Sequence, residues 1–90
     1  MKEIKLSAHQ LHMMQHAIGY NPMKVRKGQF VARRNYFATS ADEAWGELVS
    51  SGLATIKQSP FNDTEVVYHL SRKGMETLSD ILGIAITQEQ

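Results

Sequence analysis

Cysteine is absent from this 90-residue chain, which excludes disulfide frameworks, thiolate zinc sites and cysteine nucleophiles. Stability must then come from one core, because two domains of this total length would each bury too little surface. The expectation is a single domain over 1–90, with its core at about 7–82 and an apolar tail at 83–90. Proline is scarce, and Pro22 and Pro60 each mark a break between periodic stretches. Long apolar runs are missing too. The longest, Ile81 to Ile86, is interrupted by Gly83 and falls far short of the roughly 20 residues that span a bilayer. Met1 to Lys5 is polar and has no signal-peptide apolar region. A cytoplasmic protein without membrane contact is expected. No glycine-rich loop follows a strand, and no Ser/His/Asp set is cued by a nucleophile turn. No catalytic role and no cofactor are therefore expected.

What the chain does have is charge polarity. The net charge of +1 conceals a split at residue 41: seven Lys/Arg against one acid before it, three against eight acids after it. Lys24, Arg26, Lys27, Arg33 and Arg34 fall in a segment that holds no acid and is interleaved with Phe30, Tyr36 and Phe37. Cations among aromatics suit a phosphate track with stacking platforms. The same rings would equally serve as core under a solvated basic loop.

Periodicity divides the chain further. Ser7 and Gln10 have the spacing of a capping box, and Leu11, Met14 and Ile18 share one arc, so a helix is expected over 7–18 with Gly19 as its left-handed stop. Tyr20-Asn21-Pro22 reads as a turn, and a short strand is expected near 30–33. Ser40 and Glu43 repeat the capping-box spacing, with Ala41, Ala44, Trp45, Leu48 and Val49 on one arc ending at Gly52. Leu53 to Gln58 and Glu65 to Leu70 read as a hairpin with a protruding six-residue tip. Ser71 caps a last helix carrying Met75, Leu78, Ile81 and Leu82. Ile84, Ala85 and Ile86 must pack back on the domain or meet a second subunit, which leaves a monomer or a weak homodimer.

The order is helix, short strand, helix, hairpin, helix. Trp45-Gly46-Glu47-Leu48-Val49-Ser50-Ser51-Gly52-Leu53 resembles the recognition-helix-to-strand junction of winged-helix repressors. Tyr68-His69-Leu70-Ser71-Arg72-Lys73-Gly74 resembles their strand exit into the closing helix. Together with His16-Ala17-Ile18-Gly19 and Arg34-Asn35-Tyr36-Phe37, the set resembles a group of small phage and prophage proteins of unassigned role, over about residues 7–82. The resemblance implies an α+β, winged-helix-like domain whose usual middle helix is missing or degraded.

A winged helix that reads DNA presents cations on its recognition helix and wing tip. Here the outer side of the second long helix carries Asp42, Glu43 and Glu47, and the tip carries Asp63 without a cation. Those carboxylates would repel phosphate. Two functions follow. One is a non-catalytic phage or bacterial accessory or regulatory protein that holds DNA or RNA through Lys24, Arg26, Lys27, Arg33 and Arg34, with Arg72 and Lys73 as an extension. The other is a protein-interaction module using Asp42, Glu43 and Glu47 or the apolar tail. His9, His12 and His16 form a stripe opposite the apolar arc. They lack a nearby carboxylate or cysteine, so a solvated or partner-facing surface is expected there and no metal.

Overall fold

The computed structural model describes residues 6–88. The polar start, Met1 to Lys5, and the last two residues of the tail lie outside that range. Ser7 forms the capping box its spacing predicts: its hydroxyl accepts from the Gln10 N–H, and the Gln10 side chain accepts from the Ser7 N–H, each at 3.0 Å. Helix α1 then runs over Ala8–Ala17, and Gly19 follows with φ +66°. Its buried side is Gln10, Met13, Met14 and Ala17, with Ile18 buried just beyond it. Leu11 is half-buried at the margin, so the packed stripe is wider than the expected arc. Gln10 can be buried because its amide is satisfied, donating to the Ala44 carbonyl at 3.1 Å and to Glu47 Oε2 at 2.9 Å.

A one-turn 3₁₀ segment, Pro22–Lys24, is capped by Asn21, whose side chain accepts from the Met23 N–H. Arg26 and Gln29 then exchange two backbone hydrogen bonds of 2.9 Å around Lys27 and Gly28. Both central residues have positive φ, +52° and +73°, the pattern of a type I′ turn. Strand β1 is Gln29–Ala32, with Phe30 and Ala32 buried, close to the expected 30–33. Strand β2, Phe37–Thr39, is an element that periodicity did not reveal. Three residues are too few for an alternation to be legible.

The second long helix, α2, is Glu43–Ser50, and its cap corrects the expected one. Asp42, not Ser40, accepts from the Trp45 N–H at 3.0 Å, and Ala41 is exposed ahead of the helix. The buried Tyr68 hydroxyl decides this by accepting from the Asp42 N–H at 3.0 Å, which holds Asp42 extended as the last residue before the helix. Strands β3 (Ala54–Gln58) and β4 (Val66–Leu70) form the expected hairpin. Strand β2 adds antiparallel to the other side of β4, giving the order β2-β4-β3 with Phe37 opposite Tyr68.

Helix α3, Arg72–Leu82, is capped by Ser71. Leu78 is buried and Met75 and Leu82 pack at the core's margin, whereas Ile81 is exposed. The tail becomes strand β5, Ala85–Gln88, pairing in parallel with β1 from Gln29↔Ala85 to Ala32↔Gln88. Ile84 and Ile86 pack against the core, so the tail finds its place within the domain. The result is a small α+β domain of three helices, a three-stranded antiparallel sheet and a parallel pair. Trp45 lies at its centre, stacked on Tyr68 with ring centroids 5.0 Å apart and planes within 9°.

Two of the sequence motifs meet physically. Ser71 donates its N–H to the Leu53 carbonyl at 3.0 Å and its hydroxyl to the Gly52 carbonyl at 2.6 Å. The same hydroxyl accepts from the Gly74 N–H at 3.0 Å. Gly74 lies so close to this junction that a Cβ there would stand 2.0 Å from the Leu53 oxygen. The Ser-x-x-Gly spacing is thus a lock between the end of α2 and the start of α3.

Candidate nucleic-acid interface

All five cations of the basic segment are exposed, and they bracket β1. Lys24, Arg26 and Lys27 precede the strand, with Lys27 at the tip of the tight turn; Arg33 and Arg34 follow it. Four strand residues span roughly 13 Å, about the axial rise of four base steps of B-form DNA. The cations therefore form two groups, one at each end of β1.

Arg34 is held in place. Its Nη2 donates to the His16 carbonyl at 2.8 Å, near the C-terminus of α1, where a cation complements the helix dipole. Gly19 leaves room for this: a Cβ there would approach Arg34 Nε to 3.2 Å. The guanidinium also sits over the Tyr36 ring, 5.9 Å from its centroid. One of its five N–H donors is occupied by His16, which leaves others for a phosphate.

The aromatic residues of the segment divide three ways. Phe30 is buried against Tyr20, ring centroids 5.1 Å apart. Phe37 is half-buried and meets Trp45 at 5.4 Å on one side and the His16 ring edge-on at 5.3 Å on the other. Tyr36 remains 52% exposed. Of the three expected platforms, only Tyr36 is exposed. Alternation along the strand could not show this, because the chain turns between β1 and β2.

Asn35 explains that turn. Its side-chain amide donates to the Leu70 carbonyl at 2.9 Å and accepts from the Leu70 N–H at 2.8 Å, replacing a strand residue beside β4. Its neighbours Arg34 and Tyr36 are both exposed, and the Tyr36 N–H donates to the Ala17 carbonyl at 3.1 Å. Segment 34–38 consequently lies beside the end of α1, and two adjoining hollows of about 270 and 460 Å³ open there, sharing His16 and Arg34. His12, Gln15 and Asn21 line the larger one. The histidine stripe was legible from helical spacing, but Gln15 and Asn21 carried no signal of their own.

His9, His12 and His16 are all exposed. Among the described residues, no three His, Asp or Glu side chains come together in a metal-holding group. Of the three candidate acids, half-buried Asp42 caps α2 and exposed Glu47 accepts from Gln10, while Glu43 is exposed on the first turn. Arg72 and Lys73 are exposed, and Arg72 pairs with Glu76 at 3.3 Å. At the hairpin tip, Gln58 Nε2 lies within 3.0–3.2 Å of the Asn62, Asp63 and Glu65 carbonyls, and Phe61 is 93% exposed. No described helix is long and apolar enough to cross a membrane. No protein-family model matches the chain, and neither a curated protein nor a solved structure does.

Proposed function

We propose that this is a non-catalytic phage or bacterial accessory or regulatory protein that associates with nucleic acid through Lys24, Arg26, Lys27, Arg33 and Arg34. The observation that carries the reading is the placement of five exposed cations at the two ends of β1, in a segment without an acid. The element order and the resemblance of the Trp45 and Tyr68 segments support a winged-helix-like architecture. In that frame the usual reading surfaces, α2 and the hairpin tip, carry carboxylates, so contact moves to the segment in place of the middle helix. The alternative, a protein-docking face at Asp42, Glu43 and Glu47, has less support, because two of these carboxylates already have partners within the domain.

Lys27 supplies a discriminating test. A lysine at φ +52° occupies a turn position that suits asparagine better. Lys27→Asn should stabilise the domain by about 0.5–1 kcal/mol, read by urea unfolding, and weaken nucleic-acid binding. Fluorescence anisotropy with a labelled 20-nucleotide single strand and its duplex, from 50 to 200 mM salt, measures the second effect. Affinity should fall steeply with salt, and the variant's salt slope should be lower by about one at most. Absence of binding to either probe at 50 mM salt would sink the proposal.

A further inference from the structure

We infer that the cleft beside the end of α1 binds one unstacked base of a single strand together with its phosphate. This rests on the nucleic-acid reading above and sharpens it. The two hollows, about 270 and 460 Å³, are open to solvent and large enough for a base removed from its stack to lie against them. The chemistry of the lining is that of a nucleotide. The Arg34 guanidinium lies over the exposed Tyr36 ring, and a base can stack on the face that this pair leaves open. In the larger hollow, across Arg34 from Tyr36, Gln15 brings an amide side chain suited to base edges and Asn21 its amide N–H group, the Asn21 oxygen being held by the Met23 N–H. Arg34 is the lining's fixed cation, and neither hollow is lined by a carboxylate, which favours a phosphate.

The site is pre-organised. Arg34 is anchored at the His16 carbonyl, and the His16 ring is braced edge-on against Phe37, which in turn meets Trp45. The cleft wall is continuous with the core, so little ordering is required when a base enters. Arg33 follows β1 directly, next to Arg34, so the strand's flanking phosphates leave the cleft toward the basic track.

Tyr36→Ala separates stacking from charge, since it removes a ring and no cation. Its half-exposed side chain makes the substitution compatible with folding, which circular dichroism verifies. For a labelled oligo(dT) strand, affinity should drop roughly 5- to 100-fold while the salt slope stays unchanged, and Tyr36→Trp should restore it. Phe61→Ala, which removes an exposed ring at the hairpin tip, should leave affinity as it was. A parallel NMR titration with dTMP asks whether a free nucleotide is taken by the same cleft. Perturbation of Tyr36 and His16 by the strand but not by dTMP identifies a strand site; equal response to dTMP identifies a free-nucleotide site. If Tyr36→Ala binds the strand as tightly as the parent while Lys27→Asn weakens it, the base-binding inference falls and the phosphate track stands. If neither strand, duplex nor dTMP binds, both fall.

Discussion

Gly74 carries more structural consequence than its size suggests, because the Leu53 carbonyl occupies the space where any side chain would begin. The contact is with backbone, which cannot move aside without breaking the Ser71 bonds to Gly52 and Leu53. Gly74→Ala should therefore destabilise the domain by about 2–4 kcal/mol, although alanine is the better helix former. Urea unfolding checks this, and a neutral result would mean that the α2–α3 junction can open at little cost. Asn35 shows a second kind of residue-scale economy. One amide side chain satisfies both backbone groups of Leu70, and by doing so turns Arg34 and Tyr36 outward on either side of it. The motif Arg-Asn-Tyr-Phe was legible as a unit in the sequence. Its logic was not, since its partner Leu70 lies 35 residues away.

Among the elements, α1, α2 and α3 were legible because their caps and periods are local. Ser7 and Ser71 cap as their spacing predicts, while the α2 cap moved to Asp42 because a hydroxyl from another strand selects it. Strand β5 is the opposite case. Ile84, Ala85 and Ile86 read as an apolar tail in need of cover, and the cover is β1. Removal of residues 84–88 would strip β1 of its ladder and expose the surface that Ile84 and Ile86 protect. The expected cost is about 2–3 kcal/mol, together with increased amide exchange in 29–32, readable by hydrogen-exchange mass spectrometry. Protection in 29–32 that survives the truncation would show that β1 is held by the core alone. Because Arg33 and Arg34 follow β1 directly, loss of β5 should also loosen the proposed interface.

For the molecule as a whole, His69 links stability to pH. Its imidazole lies on β4 beside Lys57 of β3, and Nδ1 is buried without a partner among the described residues. Burial, and secondarily the Lys57 charge, hold its pKa below the ordinary imidazole value of about 6.5. The unfolded chain thus takes up the proton first as pH falls. This contribution is complete above about 6.5 and is lost progressively between that value and the lower folded pKa. The melting temperature should decline across that window, and His69→Gln should decline less. An identical pH profile for both proteins would remove His69 as the cause.

At this scale the division between sequence and structure is clear. Three helices, a hairpin, the five-cation segment and the carboxylates of α2 and the hairpin tip were readable from the chain alone. Each of those depends on neighbours a few residues apart, where spacing and charge are directly readable. Long-range packing set the pairing of β5 with β1, the placement of Asn35 beside Leu70, and the exposure of Tyr36 where Phe30 is buried. It also brought His12 and His16 of α1 beside Arg34 to line a hollow. These outcomes depend on contacts between distant segments, whose choice is made by burial and by the satisfaction of backbone groups across the whole core, and no local period records it.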